Sequence, residues 1–220
     1  MSARILALVA AVMVCAVPAM AEPLVVNRFD SAAEVGKWRL DFGLPTTLSF
    51  DASKDAAGSA TSGALKVETT FAATAGGDNK SAITTDAFFP GRNVSGYTSL
   101  DVDFFIAPGS AESFNPGSDI HGYRQFAIRN TNTYNYQSEG GGNFGPSGQW
   151  FHVSMPVSSF AQPADAVRAL TLQLYGGPGH NLTGPVTYWI DNVVFVPEPA
   201  SIGLLVAALG AMCVRPRRSR

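Results

Sequence analysis

Short apolar runs with a two-residue period, cut at near-regular intervals by glycine and proline, leave this chain little room for anything but antiparallel sheet. The runs are Leu48 to Phe50, Leu65 to Phe71, Leu100 to Ile106, Arg124 to Arg129, Trp150 to Met155, Leu170 to Tyr175 and Val186 to Phe195. All are rich in β-branched and aromatic residues, which suit a pleated, half-buried surface. Between them stand Pro90-Gly91, Pro108-Gly109, Pro116-Gly117, Gly140-Gly141-Gly142, Pro146-Ser147-Gly148 and Gly176-Gly177-Pro178-Gly179, residues that preset turns between strands. No helical stripe exceeds a turn or two, with Ala161 to Ala166 the one candidate. Seven or more short strands without intervening helices bury their apolar faces by packing as two sheets. The expected class is all-β, an antiparallel two-sheet β-sandwich.

The two ends follow a different pattern. Arg4, the apolar stretch Ile5 to Val17 and the small-x-small triplet Ala19-Met20-Ala21 form the three regions of a secretory signal peptide, read by the Sec translocon and signal peptidase. At the other end, Val196-Pro197-Glu198-Pro199-Ala200-Ser201 is followed by an apolar run from Ile202 to Val214 and then by Arg215-Pro216-Arg217-Arg218-Ser219-Arg220. About 14 apolar residues make roughly 21 Å of helix, against the ~30 Å and about 20 residues that a full bilayer core asks for. The terminal arginines stay on the cytoplasmic side and put the preceding residues outside. This tail resembles the PEP-CTERM sorting signal of Gram-negative bacteria, carried by Pro197, Glu198 and Pro199 with Arg215, Arg217 and Arg218. The resemblance implies an exosortase-type enzyme as processing partner, a transient anchor, and an outer-envelope or extracellular destination. An ordinary tail anchor is the other reading of the same run. The expected organisation is a signal peptide over 1–21, a sandwich domain over 22–196 and a sorting signal over 197–220.

Removing both ends changes the charge balance. The formal net charge of −2 includes Arg4 and four tail arginines; residues 22–198 carry 10 basic against all 17 acidic side chains, a balance of −7. Such an acidic exported domain does not suit nucleic acid or an anionic membrane surface. Cys15 and Cys213 both lie in the removable ends, so the remaining domain has no disulfide, thiol nucleophile or cysteine metal site.

Alternation splits the strands into faces. Leu100, Val102, Phe104 and Ile106, with Phe126, Ile128, Phe151, Val153, Met155, Leu170, Leu172 and Leu174, form the expected core. The opposite faces carry Asp101, Asp103 and Phe105; Tyr123, Gln125, Ala127 and Arg129; Trp150, His152 and Ser154; and Thr171, Gln173 and Tyr175. If the strands around Gln125 and Gln173 are neighbours, then Tyr123, Gln125, Arg129, Gln173 and Tyr175 make one polar, aromatic-flanked concave surface. Flat rings stack on apolar sugar faces, and amides and guanidinium groups bind hydroxyls. The plain reading of the same surface is a solvated sheet face, polar by necessity. The loop 131–142, with Tyr134 and Tyr136, is the least regular segment and a second candidate ligand-binding element. Trp38 belongs to an inward run with Leu40 and Phe42, Trp150 packs at a strand entrance, and the side of Trp189 stays open because Asn192-Val193-Val194 allows a bulge.

Several ordered motifs also resemble the strands of carbohydrate-binding-module (galactose-binding-like) jelly rolls. They are Asn27-Arg28-Phe29-Asp30 followed by Trp38, Ser62-Gly63-Ala64-Leu65-Lys66-Val67, Val94-Ser95-Gly96-Tyr97-Thr98-Ser99-Leu100, Gly148-Gln149-Trp150-Phe151 leading to Met155-Pro156-Val157, Val167 to Leu174, and Tyr188-Trp189-Ile190-Asp191-Asn192-Val193. The resemblance implies a jelly-roll topology and a non-catalytic sugar-binding role. It also implies a structural Ca²⁺ joining Asp30 to Asp191, with backbone carbonyls near Gly63 and Lys66; the competing reading is two solvent-facing aspartates.

Catalysis has little to rest on. His121, His152 and His180 are scattered, and no Ser-His-Asp, His-x-x-x-His or nucleophile-elbow spacing is present. Asp101 and Asp103 share a strand face about 7 Å apart by strand rise, and read most simply as surface carboxylates. The sequence therefore supports an exported, non-catalytic module associating with exopolysaccharide. A structural matrix or biofilm protein without a sugar site, and a polysaccharide-degrading enzyme, are the alternatives.

Overall fold

The computed structural model describes residues 22–73, 79–85, 91–109, 121–130, 134–136, 142–144, 147–160, 164–177 and 182–198. The leader over 1–21 and the tail beyond residue 198 lie outside the described residues, as do Ala161 to Pro163 of the helix candidate. Among the described residues no helix is long and apolar enough to cross a membrane.

The described residues form twelve strands: β1 (Leu24–Asn27), β2 (Trp38–Gly43), β3 (Thr46–Asp51), β4 (Ala64–Phe71), β5 (Lys80–Thr85), β6 (Tyr97–Ile106), β7 (His121–Arg129), β8 (Tyr134–Tyr136), β9 (Gly142–Phe144), β10 (Trp150–Pro156), β11 (Ala169–Tyr175) and β12 (Gly184–Pro197). One helical turn, α1 (Ala32–Val35), precedes β2. Sheet A runs β10-β6-β12-β4-β3, with β1 also on β12; sheet B runs β2-β5-β11-β7-β8, with β9 also on β7. In sheet A β1 and β4 pair antiparallel with β12, β10 with β6 and β3 with β4; in sheet B β5 and β7 pair antiparallel with β11, β2 with β5, and β8 and β9 with β7. All seven expected runs are strands, and the two-sheet sandwich is the observed architecture.

The core lies between the sheets as the alternation requires. Leu100, Val102 and Ile106 of β6, Ile128 of β7 and Leu170 of β11 are fully buried, each contributing roughly 1.5–3 kcal/mol by leaving water. A polar seam crosses this core. Tyr188 of β12 hydrogen-bonds Ser81 of β5, and Ser81 Oγ lies 2.8 Å from Thr46 Oγ1 of β3. Burial pushes the Tyr188 phenol well above its ordinary range, so it stays a neutral donor tying the two sheets.

β5 is the central strand that local pattern missed. Its sequence Lys-Ser-Ala-Ile-Thr-Thr has one large apolar residue, yet it sits between β2 and β11 with Ser81, Ala82, Ile83, Thr84 and Thr85 all fully buried. Small side chains fill both of its faces because neighbours close over them. Part of the 131–142 segment is also strand rather than loop. β8 continues sheet B, with Tyr134 opposite Arg129 and Tyr136 opposite Ala127, because β7 has a free edge that a Tyr-Asn-Tyr run can pair with.

The inward run expected for Trp38, Leu40 and Phe42 does not hold. The β2 register slips between Leu40 and Phe42: Trp38 is buried in the core, Leu40 stays opposite Ile83 but is 39% exposed at the sheet edge, and Phe42 pairs with Ala82 on the outer face. A bulge adds one residue and turns everything beyond it to the other side. It places Asp41 and Phe42 where they meet the candidate ligand face.

Candidate functional site

The outer face of sheet B is a grid set by register. Opposite residues on antiparallel neighbours share a face, so Tyr123, Tyr175 and Lys80 form one row across β7, β11 and β5. Gln125, Gln173, Ala82 and Phe42 form the next, and Ala127, Thr171, Thr84 and Arg39 the third. Tyr123, Gln125, Arg129, Gln173 and Tyr175 are therefore brought together on one face, as the alternation implied.

The aromatic end is built around Tyr175. Its ring meets that of Tyr123 edge-on at 5.8 Å. Lys80 Nζ stands 5.0 Å from the Phe42 ring centre and 5.9 Å from that of Tyr175, within cation–π reach of both. The Tyr175 hydroxyl lies 3.0 Å from Gln125 Oε1 and 3.1 Å from Gln173 Oε1.

At the other end Arg129 Nη2 of β7 reaches Asp41 Oδ1 of β2 at 3.4 Å. Two strands, β11 and β5, separate their backbones, a span of about 14 Å at ~4.8 Å per strand. The pair consequently lies across the sheet, over Thr171, whose hydroxyl lies 3.4 Å from Asp41 Oδ2 and 3.1 Å from Thr84 Oγ1.

The floor beneath these groups is not the solvated surface that alternation alone suggests. Ala82, Thr84, Ala127 and Thr171 are fully buried and Gln173 is 3% exposed, since small floor residues let long side chains of the flanking strands fold inward over them. The contribution of Asp41, Phe42 and Lys80 was invisible in the sequence.

The opposite face, outside sheet A, holds the other two tryptophans. Trp150 and Trp189 flank Phe105 edge-on at 5.6 Å and 5.4 Å, and Lys54 Nζ covers Phe105 at 4.1 Å from its ring centre. Trp189 donates its Nε1 to Asp51 Oδ2 at 2.9 Å. Burial would raise the Asp51 pKa, but hydrogen bonds from Ser53 and Trp189 and the charge of Lys66 outweigh it and hold the carboxyl below its ordinary value. Asn192 has φ +48°, the kink that the Asn192-Val193-Val194 ambiguity allowed. Trp189 thereby falls outside the main core.

Asp101 and Asp103 are tied into this face. His152 Nδ1 lies 2.8 Å from Asp103 Oδ1 and its Nε2 3.4 Å from Asp101 Oδ2. Ser154 donates to Asp101 at 2.7 Å, and Asn192 to Asp103 at 2.9 Å. Partial burial would lower the His152 pKa, but its hydrogen bond to Asp103 and the two aspartate charges raise it above the usual imidazole value. The carboxylates serve as partners for their neighbours, an arrangement that suits cross-strand pairing better than glycoside chemistry. Beside them lies an open cleft of about 400 Å³ bordered by Asp30, Asp55, Ser62 and His152.

Asp30 and Asp191 supply only part of what Ca²⁺ takes. Asp191 is 1% exposed, and its two oxygens accept the Ala56 N–H at 2.9 Å and the Asn192 N–H at 2.7 Å. Asp30 accepts the Ser62 hydroxyl at 3.0 Å. Among the described residues no group of three or more His, Cys, Asp or Glu is placed to hold a metal, and six to eight oxygens would have to come mainly from backbone carbonyls.

No protein-family model matches the sequence, and no curated protein does. Solved structures match it in shape. A non-crystalline cellulose specific carbohydrate-binding module of family 28 superposes with a TM-score of 0.58 at 12% identity, over 80% of this chain and 96% of that one. The sandwich is similar to those of carbohydrate-binding modules. The family 11 module of a cellulosomal cellulase of Clostridium thermocellum gives 0.53 at 13% identity, covering 82% and 97% of the two chains. An exo-β-agarase gives 0.54 at 11% identity over 80% of this chain, which spans only 26% of that enzyme. At such identities the likeness is one of fold, and function rests on the side chains of the site.

Proposed function

We propose that this chain is an exported, non-catalytic module that associates with polysaccharide through the outer face of sheet B. The observation that carries the reading is the Gln125–Tyr175–Gln173 cluster flanked by Tyr123 and Phe42. It puts two amides and two kinds of ring within reach of one ligand, the combination that sugar hydroxyls and apolar sugar faces require. Similarity to carbohydrate-binding modules in fold supports the reading, since it supplies a scaffold on which such faces occur.

Affinity gels and calorimetry with the secreted protein test it against the host's own exopolysaccharide, xylan and mixed-linkage β-glucan. Binding is expected, with Tyr175→Ala and Gln173→Ala each weakening it about tenfold or more, the scale of one aromatic or hydrogen-bond contact. Absence of binding to every polymer would leave a structural matrix protein as the better description. Release of oligosaccharide during incubation would instead show an enzyme.

The export part of the proposal rests on the two end segments. Signal peptidase removes residues 1–21, and an exosortase-type enzyme acts at Pro197-Glu198-Pro199 once the apolar run and Arg215, Arg217 and Arg218 have paused in the inner membrane. Intact mass of the secreted form is expected to lack both ends; a full-length mass in the medium would refute this. The Ca²⁺ implied by resemblance would act on stability alone. Melting in EDTA against excess Ca²⁺ decides it: a lowered midpoint in EDTA supports the ion, and an unchanged one removes it.

A further inference from the structure

Tyr175 places its own hydroxyl between Gln125 and Gln173, at 3.0 Å and 3.1 Å from their carbonyl oxygens. A phenol carries one proton and serves one of those two oxygens at a time. The second glutamine is worse off. Gln173 is 3% exposed and its Nε2 has no partner, an expensive state for a buried amide donor. Its neighbours across the sheet, Ala82 on one side and Gln125 on the other, offer no further hydroxyl.

The free protein thus contains a built hydroxyl-binding point that is filled from within and left one acceptor short. We propose that Tyr175 is a self-ligand: its hydroxyl stands in for a hydroxyl of the true ligand, which displaces it by turning the Tyr175 side chain aside. The inference deepens the polysaccharide-binding reading and rests on it. It also names the chemistry of the ligand. One sugar hydroxyl takes the place of the phenol and donates to a glutamine oxygen, while the oxygen of an adjacent hydroxyl accepts from Gln173 Nε2. Two neighbouring hydroxyls on an uncharged sugar satisfy an uncharged amide pair with no charge left over, so the subsite takes a neutral glycan with a vicinal diol.

Movement is confined to the side chain. The backbone after Tyr175 is held, since Gly176 donates to the Asn79 carbonyl at 2.9 Å and packs with its Cα hard against the buried Phe71 ring. The Tyr175 ring itself is half-buried at the end of β11, where rotation about χ1 carries it off Gln173 without disturbing the ladder.

Tyr175→Phe keeps the ring and removes the internal hydroxyl. Titrated with soluble mixed-linkage β-glucan, xylan and the host's exopolysaccharide, the secreted protein carrying it is expected to bind about 3- to 10-fold tighter than the wild type, the worth of one hydrogen bond no longer broken on entry. Binding by Tyr175→Phe alone would equally support a latch. Gln173→Leu is expected to lose binding while its unfolding midpoint stays level or rises, because an unpartnered amide has been exchanged for an apolar group. Equal or weaker binding by Tyr175→Phe overturns the self-ligand and leaves the polysaccharide reading standing. A lowered midpoint or retained binding in Gln173→Leu overturns the role given to Nε2. Failure of every variant to bind any polymer sinks both readings together.

Discussion

Gly43→Ala is expected to lower stability by about 3 kcal/mol, combining ~1–2 kcal/mol of left-handed strain with the overlap its Cβ creates. Gly43 ends β2 at φ +99°, where the chain leaves sheet B for sheet A, and a Cβ there would run into the carbonyl of Lys80. That carbonyl belongs to backbone and accepts the Leu44 N–H at 2.8 Å, so it has little freedom to retreat. Gly58 is the internal control. It has φ +72° with nothing within 4 Å of the site of a Cβ, so Gly58→Ala pays strain without overlap and should cost about 1 kcal/mol. In a domain of this size the difference is a further fall of roughly 4–8 °C in Tm for the Gly43 variant. Matching midpoints in the two variants would mean that β2 does not press on β5 here. A Gly43 variant that folds should also bind polysaccharide more weakly, since Asp41 and Phe42 are carried on the displaced strand.

Unfolding free energy is expected to rise as pH falls from 8 to 5. Burial, the largest cause, raises the Asp191 pKa to about 6 from 3.8; Asp55 and Asp103 add to this, and the Ala56 and Asn192 N–H groups oppose it. The native state then holds a proton between about pH 4 and 6 that the unfolded chain has released, so stability is lost as pH rises through 6. A shift of about two pKa units corresponds to about 3 kcal/mol at neutral pH. His152, with its side chain 56% exposed, has a raised pKa and works in the same direction, losing its contribution as pH rises. Asp51 has the opposite sign but acts only as pH drops through its lowered value, below this window. Asp191→Asn is the decisive variant. Its amide accepts only one of the two backbone N–H groups, so absolute stability is a poor readout, whereas the part of the pH slope below about pH 6 should disappear, leaving the His152 contribution at higher pH. A wild-type midpoint that is flat or climbs toward pH 8 would contradict the assignment.

Much of the fold was legible from alternation. Leu100, Val102, Phe104 and Ile106 could only face a core, and Asp101 and Asp103 could only face away, because a strand turns successive side chains to opposite sides. The same reasoning put Tyr123, Gln125, Gln173 and Tyr175 on outer faces. What alternation could not supply was the strand between. β5 is almost all small and hydroxylated, and nothing in Lys-Ser-Ala-Ile-Thr-Thr marks it as central until β2 and β11 are seen closing over it. The β2 bulge was equally hidden: one extra residue after Leu40 turns Phe42 to the outer face, and no local preference announces where it falls.

The amino-acid sequence by itself determined seven of the strands and which of their side chains face the core. These follow from two-residue periodicity, turn chemistry and short contiguous motifs, all readable within a few residues. Only the tertiary structure decided that Arg129 meets Asp41 across two intervening strands and that the Tyr175 hydroxyl comes to rest between two glutamines. Strand order and register are settled by long-range pairing and by how whole faces are buried, so groups far apart in the chain become neighbours for reasons that no local stretch contains.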